Sequence, residues 1–84
     1  MKKVTVKLFA SARDLAGGLP FLEIVLDPEV QTVRDLIELL CRRFPDLGPQ
    51  SARLMAARNQ RYASRDALLD DGDEIALFPP VSGG

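Results

Sequence analysis

The residues with the clearest chemical potential stand at the end of the chain, Gly83-Gly84, preceded by Val81-Ser82 and by the stiff pair Pro79-Pro80. A terminal carboxylate carried on two residues without Cβ can thread a narrow channel and adopt backbone angles closed to other residues. The prolines fix φ and favour an extended course, so residues 79–84 are expected to project from the body rather than fold back onto it. At about 3.3–3.6 Å per extended residue the arm reaches roughly 20 Å, enough to deliver a carboxylate into a buried site of another protein. The pattern predicts a domain at 1–78 and a tail at 79–84 that works in trans through Gly84. The plainer reading is a frayed terminus. The strand-like run Asp73–Phe78, which stops directly at Pro79-Pro80, favours the arm.

Other kinds of chemistry are poorly served. The chain has no histidine and one cysteine, Cys41. Zinc sites, Cys-His and Ser-His nucleophile arrangements and disulfide frameworks are therefore out of reach, and no metal or cofactor is expected on this chain. Asp71-Gly72-Asp73 reads as a turn built around glycine. Cys41 reads as a small residue beside the core. Acting alone, such a chain is a poor enzyme. A net charge of −1, with 11 basic residues scattered among 12 acidic ones, gives no footprint for nucleic acid or an anionic membrane surface. No apolar run approaches a membrane span. Met1-Lys2-Lys3 leads straight into a strand pattern with no apolar leader, so a cytoplasmic setting is expected, in keeping with the single thiol.

The elements that must position the tail fit one small domain of 84 residues, 46% of them hydrophobic. Residues 3–9 alternate polar and apolar, placing Val4, Val6 and Leu8 on one face of a strand. A short turn or helix from Ser11 to Ala16 closes at Gly17-Gly18. Phe21–Leu26 reads as a second strand, antiparallel to the first. Thr32 is the expected N-cap of the main helix. Asp35 is placed for the helix dipole, although Glu or Gln would make the stronger capping box. Val33, Leu36, Ile37, Leu40 and Phe44 form one buried stripe, and Pro45 ends the helix. Leu54–Arg58 reads as a strand that turns at Asn59-Gln60 into a short partner near Arg61-Tyr62. A loop over Leu68-Leu69 then leads to the last strand, expected beside and parallel to the first. The order predicts an α+β domain, one mixed five-stranded sheet over one main helix, with no second domain.

Period-two counting puts Phe9 and Phe78 on the strand face opposite Val4, Val6, Leu8, Ile75 and Leu77. Two aromatics on the nominal solvent side suggest a docking patch for a partner. Arg13, Arg58 and Arg61 are candidates for acidic partner surfaces, though isolated charges of this kind usually serve solvation alone.

The run Leu68–Gly84, with its Gly-Asp-Glu turn, apolar strand, Pro-Pro and Gly-Gly, resembles the C-terminal signature of the molybdopterin synthase small-subunit family. Val6–Gly17 is similar to the N-terminal signature of that family, as is Asn59-Gln60, so the likeness covers essentially the whole chain. The resemblance implies a ubiquitin-like β-grasp fold and a sulfur carrier of molybdenum cofactor biosynthesis. Gly84 would be adenylated by a ubiquitin-activating-like adenylyltransferase using ATP, then converted to a thiocarboxylate. Pro79, Pro80, Val81, Ser82 and Gly83 would thread the active site of the large synthase subunit, in a heterotetramer. There the sulfur would pass to cyclic pyranopterin monophosphate. Sulfur carriers for thiamine, cysteine or tRNA thiolation, and ubiquitin-like protein modifiers, share this tail and remain open alternatives.

Overall fold

Alternation along the first strand sets the architecture. The computed structural model describes residues 2–80. In β1 (Lys2–Leu8) Val4, Val6 and Leu8 are buried while the residues between them face outward. A side-chain period of two commits every strand paired with β1 to the same inner and outer faces. β2 (Phe21–Leu26) pairs antiparallel to it, Val6 opposite Leu22 and Val4 opposite Ile24. β5 (Glu74–Phe78) pairs parallel to it, Val6 opposite Ile75 and Leu8 opposite Leu77. β3 (Met55–Arg58) runs antiparallel to β5 and to β4 (Arg61–Ala63), completing the sheet order β2-β1-β5-β3-β4.

Two helices connect these strands, and α2 covers the inner face. α1 (Ala10–Leu15) follows β1 after a single residue and gives way to Gly17 and Gly18, at φ +75° and +78°, where a side chain would be strained. α2 (Val33–Arg43) buries Val33, Leu36, Ile37 and Leu40 against the sheet, with Phe44 half-buried at its end. Its start is a full capping box. Thr32 Oγ1 accepts from the Asp35 amide at 3.2 Å, while the Asp35 carboxylate accepts from the amides of Thr32 and Gln31 at 3.1 and 3.0 Å. The shorter aspartate therefore closes the box as a glutamate would, because the extended Thr32 backbone brings its amide within reach.

The sheet contains the elements expected from the sequence, with small shifts at the ends. β1 stops at Leu8, so Phe9 is the extended N-cap of α1 rather than a strand residue, and the last strand begins at Glu74. A 3-10 segment, Pro45–Arg53, was not anticipated; it buries Leu47 and leads directly into β3. One mixed five-stranded sheet over one main helix is the ubiquitin-like β-grasp arrangement. β5 enters the middle of the sheet and delivers Pro79 at its edge. Val81, Ser82, Gly83 and Gly84 lie outside the described residues.

Candidate functional site

The end of β5 positions the root of the tail. Ile75 and Leu77 are fully buried, and the parallel pairing with β1 locks the strand between two neighbours. A strand held on both sides gives whatever follows it a fixed point of departure. Pro79 is half-buried and Pro80 exposed. Both line a groove with Pro49, Gln50, Arg53 and Leu54, so the 3-10 segment flanks the root of the tail. Val81, Ser82, Gly83 and Gly84, four of the residues singled out in the sequence, fall outside the described residues.

The start of β5 is held by a polar clasp. Asp73 is 5% exposed and is the one buried charged residue among those described. Its carboxylate accepts from Arg58 Nε at 2.6 Å, Asn59 Nδ2 at 2.9 Å and the Asp70 amide at 2.7 Å. Burial would push this carboxyl upward. The Arg58 hydrogen bond, the Asp70 amide, Asn59 and the Arg58 charge outweigh burial and hold it below the ordinary aspartate range. Asn59 also accepts from the Glu74 amide at 3.0 Å, and its own amide donates to the Glu74 carbonyl at 2.8 Å. Arg58, read as a candidate for acidic partners, is thus engaged within the chain.

The outward face of the sheet carries the two aromatics singled out above. Phe9 keeps an extended backbone (φ −124°, ψ 150°), so the alternation of β1 continues through it and places its ring on the side opposite Leu8. Its amide donates to the Leu77 carbonyl at 3.2 Å, which sets Phe9 beside Phe78 across the two strands. Phe9 is 42% exposed, while Phe78 is half-buried. Part of the cover on Phe78 comes from Tyr62, whose ring meets it edge-on with centroids 6.1 Å apart at 60°. Tyr62 is itself 77% exposed. The apolar surface therefore runs from Phe9 over Phe78 to Tyr62, past Met55, which lies opposite Phe78 in the ladder. Tyr62 was not picked out from the sequence. The alternation of β4, with Tyr62 opposite outward-facing Ala57, was the signal that could have found it.

Two remaining features do little chemistry as they stand. Cys41 is half-buried against the core and borders a shallow cleft with Arg34, Arg42, Arg65 and Glu38. Arg34 in that cleft pairs with Asp66, and Arg65 donates to the carbonyls of Ser51 and Leu54 at 2.5 and 3.0 Å. Among the described residues no group of three or more histidine, cysteine, aspartate or glutamate side chains is placed to hold a metal ion. No described helix is long and apolar enough to cross a membrane.

Known proteins share this arrangement over nearly its whole length. The ThiS family profile matches residues 6–84. The molybdopterin synthase sulfur carrier subunit of Escherichia coli (strain K12) is 39% identical over 82 residues, covering 96% of this chain and 99% of that protein. Among solved structures, a molybdopterin converting factor subunit 1 from Pyrococcus furiosus has a TM-score of 0.83 at 42% identity, covering 96% of this chain and 100% of that one. The small archaeal modifier protein 1 of H. volcanii has a TM-score of 0.79 at 28% identity, again covering 96% of this chain and 100% of that one.

Proposed function

The chain belongs to the ThiS family, and from that premise we propose that it is the sulfur carrier of a molybdopterin synthase, with Gly84 as the residue that bears the sulfur. The observation that carries the reading is the end-to-end likeness to the Escherichia coli sulfur carrier subunit, joined to a tail of Pro79-Pro80-Val81-Ser82-Gly83-Gly84 issuing from a strand held on both edges.

The residue types suit that chemistry. A terminal carboxylate, with a pKa of about 3.3–3.7, is ionised near neutral pH and inert toward a sulfur nucleophile. An adenylyltransferase of the ubiquitin-activating kind would join it to the α-phosphate of ATP, releasing pyrophosphate. The resulting mixed anhydride has AMP as its leaving group. A sulfur donor then displaces AMP and leaves a thiocarboxylate on Gly84. Glycine at the last two positions lets the ATP phosphate, and later the pterin, approach the carbonyl with no side chain in the way. The large subunit would take in residues 79–84 and supply the groups that bind cyclic pyranopterin monophosphate and move its protons. The chain holds no cofactor of its own in this scheme and is not catalytic alone. Phe9 and Phe78, joined by Tyr62, form the apolar patch on which the large subunit would dock. The assembly would be a heterotetramer in the cytoplasm.

A ubiquitin-like protein modifier, joined through Gly84 to lysines of target proteins, is the second reading. Likeness to the small archaeal modifier protein 1 of H. volcanii favours it. Intact mass separates the two. After incubation with the activating enzyme, ATP and a sulfur donor, the chain should gain the mass of one oxygen replaced by sulfur, placed on Gly84. That gain should vanish as molybdopterin forms with the large subunit and cyclic pyranopterin monophosphate. A persistent gain moves the acceptor to another pathway. Isopeptide adducts with no thiocarboxylate favour the modifier.

A further inference from the structure

We propose that Arg13 is a positioning residue for docking on the large subunit: from within this chain it holds the Phe9 ring outward, ready for the partner. The inference rests on the docking patch proposed above and assigns to Arg13 an intramolecular role instead of a contact with an acidic partner surface.

Several observations meet at the junction of β1 and α1. The Phe9 amide is fixed to the Leu77 carbonyl, so its backbone cannot drift from the end of the sheet. Ala10, the next residue, sits at φ +52°, a left-handed backbone that a Cβ disfavours. Such outliers persist where the surroundings hold them in place, and they concentrate at functional sites. Arg13 provides a hold. Its Nε donates to the Leu8 carbonyl at 3.0 Å, folding the side chain back over the start of its own helix. The same guanidinium then lies over the Phe9 ring, its carbon 5.9 Å from the ring centroid, within the range of a cation–π contact. One side chain therefore bridges the residue before Phe9 and the ring itself.

The chemistry explains why arginine stands here. A planar guanidinium can donate along one edge while its face rests on an aromatic ring, whereas the compact, strongly hydrated ammonium of lysine has no such face. An exposed ring left alone would gain by turning onto neighbouring apolar surface. With a cation on one side and its backbone pinned, Phe9 instead stays 42% exposed on the outward face. Holding a contact residue in its bound arrangement beforehand reduces the ordering that association must impose.

A double-mutant cycle on the full chain tests this, with affinity for the large subunit measured by calorimetry. Phe9→Ala is expected to weaken binding by roughly tenfold or more, and Arg13→Gln by roughly threefold to tenfold. In the Phe9→Ala background, Arg13→Gln should add less than about twofold, since its target is gone. Arg13→Lys should fall between wild type and Arg13→Gln. The salt dependence of association should be unchanged by Arg13→Gln, because the cation is not spent on the partner. In the free protein, Arg13→Gln should shift the Phe9 ring resonances in proton NMR and leave those of Tyr62 in place, a readout that needs no partner. An equal loss in both backgrounds, or unmoved Phe9 resonances, overturns the proposal. A Phe9→Ala variant that binds as wild type overturns the docking patch itself, and the proposal with it. Thermal unfolding of each variant distinguishes any of these from loss of fold.

Discussion

Arg58 and Asp73 tie the end of β3 to the start of β5: the last residue of β3 donates Nε at 2.6 Å to a carboxylate buried just before β5 begins. The contact is more than an ion pair, because Asp73 also accepts from Asn59 and from the Asp70 amide. Three donors satisfy one buried carboxylate, which is the condition under which burying a charge is tolerated. The clasp fixes where β5 starts, and so where Pro79 leaves the sheet.

Acid should therefore loosen this protein through Asp73. Its pKa is lowered in the folded state, as is that of Asp35 beneath the amides of Gln31 and Thr32. A depressed carboxylate contributes stability that is fully present above the unfolded value, about 3.9, and is lost as pH falls through the lower folded value. Urea unfolding followed between pH 7 and pH 2 should show stability falling below about pH 4. Asp73→Asn should reduce that pH dependence and lower stability at neutral pH by about 1–3 kcal/mol, as its donors lose their charged acceptor. An unchanged acid profile in Asp73→Asn would place the titrating group elsewhere.

Thr32→Ala should remove one half of the capping box. Loss of an N-cap hydroxyl lowers stability by about 1 kcal/mol. The Asp35 carboxylate still accepts from Gln31 and Thr32 in that variant, so the helix should shorten at its start rather than melt. Amide exchange would show this as faster exchange at Asp35 with little change at Leu40.

Much of this architecture was legible in the sequence, for physical reasons that can be named. The alternation of Val4, Val6 and Leu8, the Thr32 cap, the helical stripe and the Pro45 stop each state one local preference, and tertiary packing agrees with all of them. Asn59 and Gln60 take φ +51° and +72°, the left-handed pair that a tight hairpin requires. The 3-10 segment Pro45–Arg53 was opaque because Pro49 interrupts it and Leu47 is its only buried residue. Ala10 gives no sign of its left-handed backbone, since alanine, unlike glycine or asparagine, does not favour one. Asp73 read as turn chemistry because nothing local shows that Arg58 and Asn59, fifteen and fourteen residues earlier, converge on it. The clefts and the Arg13 bridge depend on side-chain placement across elements, which periodicity does not report.

The core has little slack around the end of β5. Leu8 and Leu77 are adjacent in register, and both are fully buried. Leu77→Ala removes a fully buried side chain of the core cluster beside Leu8, and should lower stability by about 2–5 kcal/mol. Chemical denaturation measures this directly. A loss under about 1 kcal/mol would mean that the surrounding core settles into the gap.

Phe78→Asp tests the outward face. A charge placed there should weaken association with the large subunit by roughly tenfold or more. Because Phe78 is half-buried under the Tyr62 ring, some loss of stability will accompany it. Tyr62→Ser is the cleaner partner variant, since a ring 77% exposed contributes little to the fold. If Tyr62→Ser and Phe78→Asp both bind as wild type, the large subunit docks on another face.

The tail should be intolerant of any change in its length. Residues 79–84 issue from a strand that is paired on both edges, so the distance from the docking patch to Gly84 is set by residue count and by the two prolines. Deleting Gly84, or adding one residue after it, moves the reacting carbonyl by about 3.3–3.6 Å. Reacting atoms must approach to about 3–3.5 Å for productive geometry, so a displacement of one residue is as large as the contact itself. Both variants should fold with unaltered unfolding midpoints, because among the described residues the buried core ends at Leu77. Both should bind the large subunit through the outward face of the sheet, and both should fail to transfer sulfur. Single-turnover assays with preloaded thiocarboxylate separate transfer from activation for the extended variant. Transfer at the wild-type rate from a lengthened tail would mean that the large subunit does not measure the arm, and that the prolines serve the activating enzyme instead.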